Sequence, residues 1–434
     1  MSVYENFLEM IDVNDMREMK DSGIDWIGKI PRNWSTIRCK YISTFLNGYA
    51  FDSKELKRDF QYPVIRIGDI KDGLIDTINC QGVDSNKGLE KYLIHNNDIL
   101  LAMSGATVGK VGIMQNSDHA YINQRVGIIR TGQPKFLFYC LSTREFIEYI
   151  LLRANGSAQP NVSGEVYGEY SVTYPERTVQ KGIADFLDTK CNEIDALFAD
   201  IQSEIDTLQA YKRSVITEAV TKGLDKNAPM KDSGLPWVGE IPAHWELIRG
   251  KYCLKYLQKP VRQEDGVITC FRDGEVTLRS KRREEGFTMS DKEIGYQGID
   301  EGDLVVHGMD GFAGAIGISD SRGKASPVLN VLDTDENKKF FMYYLRSMAY
   351  GDVFLALATG IRVRSCDLRW NKLAELSYPI PPKDEQDAIV TYIDDKLKRT
   401  DEIISEKQEQ LEVLTDYKKS VIYEYVTGKK EASA

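Results

Sequence analysis

Apolar positions along the chain follow two patterns. In residues 19–175 and 230–381 they form short runs such as YPVIRIGDI, DILLAM, VGIM and RVGIIR, separated by Gly, Asn and Asp. Runs of this length between turn residues predict short β-strands. Two longer stretches, FLFYCLSTREFIEYILL at 136–152 and FFMYYLRSMAYGDVFLAL at 340–357, have helical spacing and length. The pattern over 183–222 is different. Leu187, Cys191, Ile194, Phe198, Ile201, Ile205, Leu208 and Val215 recur at alternating steps of four and three, with Lys212 in the one gap. Over 389–427 the same row reads Ile393, Leu397, Thr400, Ile404, Lys407, Leu411, Leu414, Lys418 and Val421. Neither segment contains Pro or Gly. Such a row predicts a long helix with one seam against a partner helix. The Lys and Thr seam positions suggest register control, or exposure at the ends. The plain alternative is two amphipathic helices on separate cores, but a long polar helix is hard to stabilise alone.

The whole pattern is written twice. Residues 19–42 (MKDSGIDWIGKIPRNWSTIRCKYI) and 230–253 (MKDSGLPWVGEIPAHWELIRGKYC) are identical at 14 of 24 positions. NNDILLAMSGATVGKVGIM at 96–114 matches EGDLVVHGMDGFAGAIGIS, so that Gly109 and Gly112 fall on Gly314 and Gly317. Gln180, IADFLD (183–188) and YKRSVI (211–216) match Gln386, IVTYID (389–394) and YKKSVI (417–422) at an offset of 206. A unit repeated at this period signals a duplicated architecture. The expected organisation is an N-terminal segment and first globular domain (1–175), a central helix (176–226), a second globular domain (227–381) and a C-terminal helix (382–434). The fold class expected is α+β, with two similar domains separated by two long antiparallel coiled-coil helices and an internal pseudo-two-fold. The antiparallel sense follows from connectivity, because the second helix must return if the two pair within one chain. Forty helical residues span about 60 Å. That suits two-fold readers of half-sites separated by whole duplex turns, about 34 Å each.

Charge refines this picture. The formal net charge is −10. Residues 1–18, 178–222 and 383–425 carry −4, −3 and −5, which leaves about +2 for the rest. Local basic clusters, not the total, are what phosphate contact requires. The seven cysteines are scattered without a C-x-x-C pair, which argues against a disulfide framework or a cysteine-rich metal site. The acidic N-terminal stretch lacks a basic-then-apolar signal pattern, and no apolar run of membrane-spanning length occurs. A cytoplasmic protein is expected.

Two copies of SGxxWxGxIPxxW, the strings GKVGIM…AYINQRVGIIR and GSAQPNVS, and a closing YP, Gln and IADFLD before a long helix together resemble the specificity subunits of type I restriction-modification systems. The resemblance covers nearly the whole chain. It implies two target-recognition domains, each reading one part of a bipartite site on double-stranded DNA. It also implies helical regions that bind two modification (methyltransferase) subunits, which restriction subunits join in some complexes. S-adenosylmethionine is then expected in the modification subunits and no cofactor in this chain. In the second copy GIRVRSCDLRW replaces GSAQPNVSGEVYG, so the two domains should read different bases.

Candidate DNA contacts follow. Arg262, Arg272, Arg279, Lys281, Arg282 and Arg283, with Lys259, form a basic cluster among Glu264, Asp265, Asp273 and Glu275. Three consecutive bases cannot all be buried cheaply. They suit phosphate contact, with one or two arginines reaching guanine edges; the plain reading is a solvated loop. Arg362 and Arg364 alternate on an extended stretch. In the first copy Lys54, Lys57 and Arg58 are candidate phosphate contacts. Gln124, Arg125, Gln159 and Asn161 are candidates for base edges, although amides in loops are usually turn or capping groups. Trp26, Trp34, Trp237 and Trp245 recur in both copies, which points to a shared structural need. GATVGK (105–110) is one residue short of a nucleotide loop and is read as glycine turns. No Asn-Pro-Pro-aromatic methylation motif, Walker A, nuclease carboxylate set or metal spacing is visible. The expected function is a non-catalytic DNA-recognition subunit of a methyltransferase/endonuclease complex. The rival is a coiled-coil scaffold that does not bind DNA.

Overall fold

The computed structural model describes residues 17–84, 88–115, 119–154, 162–282, 294–357 and 368–432. The chain divides into two compact units. One runs to Asp200 and resumes at Glu409; the other is Ile201–Gln408. The division cuts through both long helices, so each unit contains a part of both.

In the first unit β1 (Ser43–Asn47), β2 (Ile99–Ala102), β3 (Val111–Ile113) and β4 (Val126–Thr131) form an antiparallel sheet in the order β3-β2-β4-β1. In the second unit β5 (Lys255–Leu257), β6 (Leu304–His307), β7 (Ile316–Ile318) and β8 (Leu329–Asp333) form one in the order β7-β6-β8-β5. Allowing for chain order, the two sheets have one topology. Each is buried on both faces, because successive strand side chains point to opposite sides. Ile99, Leu101 and Ile129 enter one core and Leu100, Ala102, Val126 and Ile128 another. In the second unit Leu304, Val306 and Leu332 separate in the same way from Val305 and Val331. Fully burying each such aliphatic side chain contributes about 1.5–3 kcal/mol.

The helix expected over 136–152 is two helices, α1 (Pro134–Leu141) and α2 (Arg144–Ala154). Thr143 breaks it: its hydroxyl donates to Cys140 O at 2.9 Å and accepts from Phe146 N, as hydroxyls do at helix starts. The first long helix, α3, spans Arg177–Lys222. The expected 340–357 helix is shorter. It forms α4 (Lys338–Tyr350) and stops at Gly351 and Asp352, whose φ is 56°. The second long helix, α5, spans Lys383–Val426. Both long helices start six residues ahead of the Pro- and Gly-free stretches at 183 and 389. At each start a buried glutamine donates back to a proline carbonyl: Gln180 to Pro175 at 2.8 Å and Gln386 to Pro381 at 2.9 Å.

Within each unit the parts of α3 and α5 run antiparallel. In the first unit Phe186 stacks on Tyr425 and Lys418 bonds Asp195 at 2.6 Å. In the second Glu204 pairs with Lys407 and Lys212 with Asp401. The seam residues Leu187, Ile194, Ile201, Ile205, Ile393, Ile404 and Leu414 are buried, and Leu208, Leu397 and Leu411 half-buried. Phe198 departs from the expected row: it is 38% exposed. The lysines that interrupt the apolar row are each matched by a carboxylate on the other helix, which explains a polar residue at a packing position.

The duplicated motif packs against the helix ends. Met19–Asp21 pairs with Lys29–Pro31, and Met230–Asp232 with Glu240–Pro242. Gly428 closes α5 with φ +70°, and a Cβ there would lie 2.5 Å from Pro31 and 2.8 Å from Trp34. Gly223 closes α3 with φ +72° against Trp245 and Pro242. Only glycine suits both the left-handed cap and the close approach. Trp34 and Trp245 are buried, so the recurring tryptophans serve the packing of a helix end.

Candidate nucleic-acid interface

A second repeated feature lies at the end of the central strands. In the first unit Met103 N donates to Arg125 O at 2.9 Å and Val162 N to Met103 O at 2.8 Å. In the second Gly308 N donates to Val328 O at 2.8 Å and Leu368 N to Gly308 O at 2.9 Å. The same backbone ladder thus joins the end of the second sheet strand, the turn before the next strand, and a segment from later in the chain. What it carries differs. In the first unit the turn presents Gln124 and Arg125, both exposed; the corresponding turn in the second presents Pro327 and Val328. Gln159 and Asn161, and Arg362 and Arg364, lie outside the described residues, as does Arg283.

Next to the ladder in the second unit, His307 Nδ1 accepts from Met309 N at 3.2 Å and Asp310 N at 2.9 Å. Burial holds the His307 pKa below its ordinary value, so the ring is a neutral acceptor. Asp310, which the sequence reading did not single out, accepts from Arg272 at 2.9 Å. Arg272 remains largely exposed. A guanidinium oriented by a carboxylate and open to solvent is competent to grip guanine or phosphate.

Three more bases of the cluster, Lys259, Lys281 and Arg282, are paired with carboxylates. Arg282 reaches Asp273 at 2.5 Å and Glu275 at 2.7 Å and lies over the Phe271 ring. Lys281 reaches Asp320 at 3.2 Å and Ser321 at 2.7 Å. Arg279 donates to Thr269 at 3.3 Å. Arg262 is exposed, and its backbone N–H donates to Asp265 at 2.8 Å. Lys259 is drawn inward to Asp300 and Asp303 at 2.8 and 2.7 Å, and Arg322 to Asp265 and Asp300 at 2.9 and 2.6 Å. Hydrogen bonds from Lys259 and then Arg322 hold the Asp300 carboxyl down at about 2. Lys259 is therefore part of a structural network. The exposed pairs are weak, about 0–1 kcal/mol each, so a phosphate can replace the carboxylate at little cost.

In the first unit Lys54, Lys57 and Arg58 are exposed. Lys57 pairs with Asp84, whose hydrogen bond raises the lysine pKa. The loop 105–110 is a glycine turn: Gly105 and Gly109 have φ of +74° and +86°, and Gly109 lies against Ile150. Among the described residues no group of His, Cys, Asp or Glu could hold a metal ion, and no helix is long and apolar enough to cross a membrane.

Comparison with known proteins gives this geometry a context. The MjaVIII type I restriction enzyme specificity subunit of Methanocaldococcus jannaschii is 23% identical over 425 residues, covering 92% of this chain and 94% of that protein. The StySPI specificity subunit of Salmonella potsdam is 21% identical over 404 residues, covering 88% and 85%. A chain solved in work on complex assembly and conformational transition of the type I R-M system has this fold with a TM-score of 0.63 at 13% identity, over 92% of this chain and 99% of that one. Residues 31–207 match the type I restriction modification DNA specificity domain. The chain thus carries a type I restriction modification DNA specificity domain over residues 31–207 and is similar, over nearly its whole length, to named type I specificity subunits.

Proposed function

We propose that this chain is the sequence-reading subunit of a type I restriction-modification complex and has no catalytic site of its own. Each unit reads one part of a bipartite site on double-stranded DNA. Phosphate contacts from Lys54, Lys57, Arg58, Lys281 and Arg282 set register, while Gln124, Arg125 and Arg272 reach base edges. The paired long helices set the gap between the two parts, and their outer faces recruit two modification subunits. Those subunits bind S-adenosylmethionine and flip the target adenine in the cytoplasm; restriction subunits complete the complex where they are present.

The observation that carries this reading is the backbone ladder common to both units with different side chains on it: exposed Gln124 and Arg125 on one, exposed Pro327 and half-buried Val328 on the other. A constant scaffold with variable tips is what reading two different half-sites demands. Mapping methylated adenines in a host genome with and without the gene tests it directly. A gapped two-part motif that depends on the gene is expected; no change in methylation refutes it. A salt titration separates it from a scaffold role, since phosphate contact predicts affinity falling steeply with salt.

A further inference from the structure

At the end of α3 the second unit holds a cavity of about 570 Å³ whose walls include Thr217, Thr221, Trp237, Tyr344, Ser347 and Met348. The first unit builds the same walls at the end of α5. Trp26, Cys140, Thr143 and Thr427 stand where Trp237, Tyr344, Ser347 and Thr221 stand, yet the space there is about 20 Å³. Thr217 corresponds to Tyr423, 206 positions later. Tyr423 lines the narrow space. Its hydroxyl donates to Trp26 O at 3.0 Å and accepts from Lys429 at 2.8 Å, and the ammonium lies 4.2 Å from the ring centre. The molecule therefore shows, in one of its own units, a phenol ring seated at the position its other unit leaves open.

We propose that the cavity beside Thr217 receives a tyrosine side chain from a partner protein. The pocket opens on the exposed side of α3, where Thr217, Arg213 and Lys222 reach solvent. Arg213 lies over the Tyr350 ring at 5.6 Å. With Glu218 also on the rim, the two bases leave it net positive. The segment that inserts the ring is therefore acidic beside its tyrosine. A ring buried in a pocket, with a satisfied hydroxyl and a charged rim, has the make-up of an interface anchor. The wide pocket lies within the second unit, and its counterpart in the first is narrowed by Tyr423, so docking there distinguishes the two units. The partner is a modification subunit if the function above holds; the pocket and the charge on its rim do not depend on it.

The test titrates p-cresol, a stand-in for the tyrosine side chain, into the full-length protein and follows binding by NMR and by thermal shift. One saturable site per chain is expected. Thr217→Tyr should fill the cavity from within, raise Tm, and weaken p-cresol binding by at least about tenfold. Ser347→Trp fills it from the opposite wall and guards against a fault particular to α3. Both variants should also weaken assembly with co-produced modification subunits by about tenfold or more. Absence of p-cresol binding to the wild type, or binding unaffected by both filled variants, overturns the pocket. Assembly that is unchanged in both overturns the docking role. A wild-type chain without duplex preference refutes the function proposed above and leaves the p-cresol result standing.

Discussion

Lys212 on the first long helix pairs with Asp401 on the second, and the pair recurs with the helices exchanged as Lys418 with Asp195, each residue 206 positions from its counterpart. Both lysines occupy positions of the apolar row. A shift of either helix would remove both pairs at once, so they define register. Lys212→Glu is expected to destabilise the second unit by about 1 kcal/mol, and adding Asp401→Lys should recover most of that loss. Denaturant melts of the two singles and the double measure it. A double variant no better than the sum of the singles would remove the register role.

Gln386 is wholly buried, donates to Pro381 O and to Glu336 at 2.8 Å, and accepts from Asn337 N at 3.0 Å. Gln386→Ala should cost about 2–3 kcal/mol, since it leaves buried partners unmatched. Gln180→Ala should cost less, because Gln180 holds the Pro175 carbonyl without a matching Glu336 contact. Chemical denaturation of both variants ranks them; equal losses contradict the account.

Asp300 has its pKa lowered from 3.8 to about 2 by Lys259 and Arg322. A group held below its unfolded value stabilises the fold fully above that value, and the benefit fades as pH falls towards the folded value. The second unit should therefore lose stability between about pH 4 and 2. Asp300→Asn should be less stable at neutral pH and show a flatter profile over that window. Because the side chain is 42% exposed, the effect is modest. Melting curves from pH 2 to 7 compare the slopes, and identical slopes exclude the network as their source.

Arg125→Ala is expected to relax base preference at one position of one half-site, by about 1–3 kcal/mol, without altering the other half. Arg272→Ala should act in the same manner on the opposite half. Methylation mapping across a library of randomised sites distinguishes this from a uniform loss, which would mark a phosphate contact.

Seven residues inserted into each long helix extend it by about 10 Å, about 3 base pairs. The gap between half-sites should lengthen accordingly. An unchanged gap in the methylation map would be incompatible with a helix ruler, although DNA reading by the two units could persist.

The two long helices were legible because nothing in their sequences interrupts a 4,3 row, and the glutamines at their starts recur at one offset. The acids facing the seam lysines were not, since Asp401 and Asp195 lie outside the row itself. Phe198 was misplaced for a related reason: spacing assigns a face but not how much of it is covered. The break at Thr143 was hidden because an apolar row continues through it while one hydroxyl caps the next turn. The acids Asp273 and Glu275 that meet Arg282 were visible beside the basic cluster, but Asp310 and Asp320, which meet Arg272 and Lys281, come from about 40 residues further along. Strand pairing brings them close, and no local pattern encodes that.

The sharing of α5 between units has a consequence for synthesis. Val421, Ile422 and Val426 belong to the core that also holds Trp34, Phe146 and Leu187. The first unit therefore cannot close until residues 421–426 have emerged from the ribosome, whereas residues 201–408 are complete before them. A stop codon ahead of Val421 would leave the first unit, not the second, without a finished core.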